Sequence, residues 1–238
     1  MNILAIGAHP DDIEMNCAGT LAKYAQLGHK VYIATATSGN IGSAIHSMEV
    51  IANIRKEEAK KSAALIGADY ICLNYVDEMF FESRDARMNF IELVRFCKAD
   101  VILTHNVKDY NPDHELTSKI INDIPVMIPI AHLKTTSPPY NCIPKVYYFE
   151  PADGLGFIPD EYVDISDVIE IKKAMLACHK SQFTWLTENY KEHNSAGDLV
   201  ERMLLTSRYR GMQCGSKYAE GFTRANDAFR VTTNRILP

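Results

Sequence analysis

At 238 residues, 47% hydrophobic and 23% charged, the chain is long enough for one large domain with a substantial core. A net charge of −5 with scattered Lys and Arg argues against a nucleic-acid surface, and no apolar run is long enough to span a bilayer. Six dispersed cysteines without a Cys-x-x-Cys pair argue against a zinc ribbon or disulfide framework; the N-terminus lacks the basic lead of a signal peptide, and a cytoplasmic protein is expected.

Ile3–Ala8 is a short apolar run ended by Gly7 and Pro10, the pattern of a buried parallel strand. His9, Asp11 and Asp12 follow at once, where the carboxyl ends of open α/β sheets bind ligands. A nucleotide binder would carry Gly-x-Gly-x-x-Gly there; two carboxylates instead repel a phosphate and attract a metal ion. Residues 18–28 predict a helix closed by Gly28, and Val31–Thr37 a second strand. Gly39 to Gly42 is a loop near the edge that carries His9. A helix over 50–66 stops at Gly67, a third strand covers 70–73, and a helix covers 88–97. Val101–His105 is a fourth strand, leading into a polar loop at 106–114. A helix from about Glu115 to Asp123 ends before Pro125.

This alternation predicts an α/β fold: a Rossmann-like, doubly wound, mainly parallel sheet with helices on both faces, one domain plus a C-terminal helical extension. In the strand order 3-2-1-4, the loops after Ala8 and His105 face each other across the crevice. Residues 129–144 form a breaker-rich excursion suited to a rim or partner contact. Val146–Phe149 is a fifth strand. Asp167 with Glu170 makes an Asp-type capping box for a helix carrying Val168, Ile171, Met175 and Cys178. Residues 196–206 are expected to be helical, and 232–238 show no pattern. The domain is expected to span 1–222, with a tail at 223–238.

The two facing loops offer His9, Asp11 and Asp12 on one side and Asp109, Asn111, Asp113 and His114 on the other. His9, Asp12 and His114 would supply two imidazoles and a carboxylate, leaving a fourth zinc position for water. Asp11, whose side chain diverges from that of Asp12, is placed as the general base. Taken singly, Asp11 and Asp12 read as helix caps and His114 as a polar helix start; together with His9 and Pro112-Asp113 they favour a metal. His105 suits a structural role as well as a substrate contact. His179, Ser181 and Gln182 lack a nucleophile turn and are expected to pack or hydrogen-bond. Trp185 with Phe183 is expected in the core or an oligomer contact, and His29, His46, His132 and His193 at the surface.

Ala8-His-Pro-Asp-Asp-Ile-Glu14 followed by Gly19, Arg55-Lys-Glu-Glu58-Ala59 with Leu65-Ile-Gly67, Thr104-His105, Asp109 and Pro112-Asp-His114 resemble the signatures of the LmbE/PIG-L family of zinc-dependent deacetylases. Tyr162–Ile165, His179–Gln182 and Tyr218–Phe222 are similar to its C-terminal blocks. The resemblance implies removal of an N-acetyl group from a small N-acetylglucosamine-type sugar conjugate by a homo-oligomer. It implies Zn2+ on His9, Asp12 and His114, with Asp11 as base and Arg55 touching substrate. Glu58 would hold Arg55 by an (i, i+3) pair. Many members read His-Pro-Asp-His where this chain has Asn111-Pro-Asp-His114. Asn111 would still donate a hydrogen bond to an oxyanion, and Asp113 would hold Asn111 or a ligand histidine. Altered rate or pH dependence is then expected rather than a dead site. An amidase acting on a thiol-sugar S-conjugate and a non-catalytic metal-binding module stay open as alternatives.

Overall fold

The computed structural model describes residues 1–189, 198–226 and 235–238. β1 (Asn2–Gly7) is buried from Ile3 onward on both faces, as its unbroken apolar sequence requires. It pairs in parallel with β2 (Lys30–Thr37) on one side and β4 (Val101–His105) on the other. β3 (Asp69–Tyr75) lies parallel outside β2, and β5 (Lys145–Phe149) parallel outside β4. Beyond β5 the direction alternates: β7 (Ala219–Arg224) runs antiparallel to β5, and β6 (Glu161–Asp164) antiparallel to β7. Among the described residues this makes one seven-stranded sheet in the order β3-β2-β1-β4-β5-β7-β6. The doubly wound, mainly parallel architecture and the 3-2-1-4 order are therefore as expected. β6 and β7 are additions, hidden in the sequence because β6 has only four residues and β7 carries the buried Glu220.

Alternate strand residues face opposite layers. Ile3, Ala5, Ile33, Leu103 and Phe149 meet α2 (Ala18–Gln26), α6 (Ile169–Leu176) and α8 (Leu199–Cys214). Leu4, Ile6, Ala34, Ile102 and Val146 meet α4 (Arg84–Cys97) and α5 (Pro112–Asp123). A short α1 (Asp12–Asn16) precedes α2; α3 (Met48–Ala64) and α7 (Lys180–Asn189) complete the α-helices of the described residues.

Three helices start two to four residues earlier than the apolar pattern suggests. α3 follows Ser47, α4 follows Ser83 and α5 follows Asn111, each with a side-chain oxygen accepting from the first turn. A polar cap, not the first apolar residue, sets a helix start. The capping box at Asp167 does not form: Asp167 reaches Lys23 Nζ at 3.0 Å, and Val168 stands at the cap. α8 begins after Asp198, so 196–197 of the expected helix lie outside the described residues, as do His193 and residues 232–234. β7 crosses the expected boundary at 222, and the final residues return to the core: Leu237 is buried, and Ile236 O accepts from Tyr24 Oη at 3.1 Å.

Two buried charges tie distant segments together. Glu220 of β7 accepts from Gly19 N (2.9 Å), Thr20 N (2.7 Å) and Thr20 Oγ1 (2.6 Å) at the start of α2, and from Lys172 Nζ (2.6 Å). An acid there also complements the positive end of the helix. Arg95 of α4 donates to the carbonyls of Ile128, Ile130 and Leu133, which fastens the start of the 129–144 excursion to the body of the domain. Among the described residues no helix is long and apolar enough to cross a membrane.

Candidate metal centre

β1 and β4 are neighbours at the point where the strand order reverses, so the loops after them share one crevice. Gly7 lets the chain fold back there: a Cβ on it would lie 2.8 Å from Asp12 Cβ. Asp11 takes a left-handed backbone conformation (φ 115°, ψ −22°), which costs a non-glycine residue energy and is found where function fixes a side chain.

His9 Nδ1 and His114 Nε2 stand 3.2 Å apart, His114 Nε2 is 3.4 Å from Asp12 Oδ1, and His9 Nδ1 is 3.7 Å from Asp12 Oδ2. Ligands about 2.0–2.1 Å from a tetrahedral zinc ion are separated by about 3.3 Å, so these three groups are spaced to surround one ion. The other carboxylate oxygen is tied back: Asp12 Oδ2 accepts from His9 N at 2.6 Å and lies 3.1 Å from His105 Nε2. His105 is buried and stacks on the His114 ring at 3.9 Å between centroids. Its Nε2 accepts from Ala8 N at 2.9 Å, so its place is behind the candidate ligands, where it packs against His114.

Each imidazole has a carboxylate on its far nitrogen. His9 Nε2 stands 2.8 Å from Asp77 Oδ1 and 3.4 Å from Asp113 Oδ2; His114 Nδ1 stands 3.0 Å from Asp109 Oδ1. These are ion-pair distances without the alignment of full hydrogen bonds, for both nitrogens lack a partner by that stricter criterion. Carboxylates so placed hold the tautomer and raise the basicity of metal-binding histidines. They also make the cluster favour positive charge. Burial opposes ionisation of His9, yet Asp113, Asp77 and Asp12 outweigh it and push the imidazole up to about 10. Burial likewise opposes His114, and Asp12 and Asp109 push it up to about 9. Two facing nitrogens 3.2 Å apart share at most one proton, whereas a cation between them satisfies both. The donor set fits a divalent ion.

Asp11 lies in the same crevice. Burial, opposed by Arg55 and reinforced by Asp12, raises its carboxyl to about 6. Arg55 donates to Pro10 O (2.7 Å) and Gly39 O (3.2 Å) and lies 3.6 Å from Asp11 Oδ1. The expected Glu58 pair is absent: Glu58 accepts from Ser181 N and Oγ at 2.9 and 2.6 Å, because its side chain leaves α3 toward α7. Asn111 is committed as well. Its Oδ1 caps α5 by accepting from Asp113 N and His114 N, and its Nδ2 donates to Glu78 Oε1 at 2.7 Å. The two backbone donors fix which way the amide faces, so the nitrogen expected to serve an oxyanion is turned onto Glu78. Asp113 accepts from Glu78 N at 2.9 Å and stands beside His9, the second of its two expected places.

Asp77 and Glu78 were not singled out from sequence. Their one signal is position: they follow β3 at the same sheet edge as His9. Glu14 and His179 form a buried contact (3.1 Å) behind the site, with Ser62 donating to Glu14 at 2.6 Å.

A cavity of about 450 Å³ opens over the cluster. His9, Asp11, Asp12, Asp77, His114 and Arg55 line it. An apolar wall is made by Met15, Trp185, Leu186, Leu199 and Met203, and Arg202, paired to Asp153 at 2.8 Å, lines the cavity too. Trp185 thus faces the cavity rather than the core, and α7 and α8, not the 129–144 excursion, shape this wall.

A profile of the family described as GlcNAc-PI de-N-acetylase (PIG-L) matches residues 4–124, just over half of the chain. Diacetylchitobiose deacetylase of Thermococcus kodakarensis is 27% identical over 232 residues, covering 92% of this chain and 81% of that protein. Among solved structures, 4-carboxy-2-hydroxymuconate hydratase of Pseudomonas putida KT2440 superposes with a TM-score of 0.80 at 23% identity, over 99% of this chain and 100% of that one. N,N'-diacetylchitobiose deacetylase of Pyrococcus horikoshii, in complex with an inhibitor, superposes with a TM-score of 0.78 at 24% identity, over 94% and 83%. The two structural likenesses establish the fold; since one is to a hydratase and the other to a deacetylase, the chemistry has to be sought in the site.

Proposed function

The chain belongs to the PIG-L family of GlcNAc-PI de-N-acetylases, and on that premise we propose that it is a zinc-dependent hydrolase. It removes the acetyl group from an N-acetylglucosamine-type conjugate. The observation that carries the proposal is the convergence of His9, Asp12 and His114, with ligand atoms within 4.8 Å of one another, beside Asp11 in one cavity. His9, Asp12 and His114 would hold the ion, which when bound acidifies a water and polarises the amide carbonyl.

The chain's own residues do the rest. Asp11, poised near neutrality, takes a proton from the attacking water and returns one to the nitrogen as the C–N bond breaks, so the amine leaves neutral. Asp77, Asp113 and Asp109 keep both imidazoles oriented, and the backbone N–H of His9 does the same for Asp12. Asn111 acts by capping α5 under His114.

The charge of the cavity favours a neutral sugar over the carboxylate substrate of a hydratase. Asp11, Asp12, Asp77, Glu78, Asp109 and Asp153 line it, six negative charges against four positive: Arg55, which is held by backbone carbonyls, Arg202, which is paired, and the two of a bound divalent ion. An anionic substrate would meet net repulsion.

The test is Asp11→Asn. Amine release from an N-acetylglucosamine glycoside should fall by a factor of about 10²–10⁴, the usual worth of a general base, while zinc content stays near one per chain. A variant that keeps most of its activity, or a wild-type protein that binds no zinc, would overturn the proposal.

A further inference from the structure

α7 turns one face into the cavity. Gln182, Trp185 and Leu186, spaced i, i+3 and i+4, share one side of the helix and all line the cavity. Glu58 holds the helix in that orientation, accepting from Ser181 N in its first turn and from Ser181 Oγ.

Across from Gln182 lies Arg55. The place a Cβ on Gly42 would take is 2.9 Å from Arg55 Nη1 and 3.5 Å from Gln182 Oε1. The guanidinium and the amide therefore both border Gly42, at a place that a side chain on residue 42 would crowd. Gln182 Oε1 is buried without any partner, and Arg55, 3% exposed, gives one N–H of its Nη1 to Gly39 O, which leaves the second. Buried polar atoms nearly always find partners. A leftover acceptor beside a guanidinium with a spare N–H marks a position for a group that both donates and accepts. A hydroxyl does both; a methyl or a carboxylate does not. Turning the amide around would set its NH2 against the guanidinium, so the oxygen belongs inward.

We propose that Gln182 is a specificity-determining residue whose Oε1 accepts a hydrogen bond from a ring hydroxyl of the substrate, with Arg55 donating to that hydroxyl's oxygen. Trp185, one turn further along α7, borders the same space and covers the apolar face of the ring. This rests on the deacetylase proposal for the class of substrate and adds the residue that distinguishes a hydroxylated ring from other acetamides. Gln182 is on α7 and Arg55 on α3, so their meeting beside Gly42 is a property of the folded site.

The experiment uses the full chain loaded with zinc and four ligands: methyl 2-acetamido-2-deoxy-glucopyranoside and its 3-, 4- and 6-deoxy counterparts. Calorimetry in the Asp11→Asn background reads binding without turnover, and amine release by the Asp11 protein is measured separately. At least one deoxy ligand should bind about tenfold more weakly than the parent, the worth of one net hydrogen bond. Gln182→Leu should erase that ratio, with the loss in turnover falling on KM rather than kcat. Gly42→Ala, which fills the space from the facing wall, should weaken the parent and spare the deoxy ligand. If Gln182→Leu keeps the tenfold ratio, or the deoxy ligands all bind as well as the parent, the inference is wrong. Hydroxyl-dependent binding without amine release would uphold it while overturning the proposed reaction.

Discussion

Replacing Asp109 by Asn isolates the electrostatic support behind one imidazole of the candidate metal site. Asp109 Oδ1 sits 3.0 Å from His114 Nδ1 with its side chain 1% exposed, and it also accepts from Asn111 N at 3.2 Å. Asparagine keeps an oxygen for Asn111 N, so the turn and the α5 cap survive, but the charge facing His114 is lost. Loss of such a partner weakens metal binding by about 10–100-fold. With free zinc at about 100 times the wild-type dissociation constant, zinc stabilises the wild-type fold by about 2.7 kcal/mol. The same concentration should stabilise Asp109→Asn by only about 0.4–1.4 kcal/mol. Urea unfolding with and without zinc, alongside chelator competition, measures both quantities. An undiminished zinc increment in a variant whose apo stability matches wild type would refute the role given to Asp109, and with it the claim that the carboxylates behind the histidines set the affinity of the site.

Gly39→Ala should dislodge Arg55, since Gly39 has φ +63° and its Cβ would lie 2.3 Å from Arg55 Nη1. A loss of about 1–2 kcal/mol in urea unfolding from the left-handed backbone alone, with a raised KM, is expected; unchanged values for both would show that the loop tolerates a side chain. Lys172→Met leaves Glu220 buried without its cation, although three donors at the start of α2 remain. The cost should reach about 3–5 kcal/mol, and adding Glu220→Gln should recover part of it. A single-variant loss below about 1 kcal/mol would show that the helix start alone neutralises the carboxylate.

The parts legible in the sequence are those whose cause is local. The apolar run Ile3–Ala8 needs burial on both faces, which makes β1 a central strand, and the alternation after it leads to right-handed crossovers and the 3-2-1-4 order. That order brings His9 and Asp12 opposite His114, although 105 residues separate the two histidines. β7 was hidden for the opposite reason. Its Glu220 is buried because Gly19, Thr20 and Lys172 satisfy it, and none of these partners is near it in sequence.

The same distinction divides the site. Residue types and spacing determined the candidate ligands, the adjacent base and the sheet edge on which they sit, because strand ends and side-chain chemistry are set within a few residues. Only the tertiary structure decided what stands behind and around them. It placed Asp77, Asp109 and Asp113 on the far nitrogens of the histidines, turned Asn111 away to cap α5 and bind Glu78, gave Glu58 to Ser181 instead of Arg55, and brought Gln182 and Trp185 to the cavity. A polar side chain pairs with whichever group the packing of distant elements brings within about 3 Å, and that partner has no signature in its own neighbourhood of the chain.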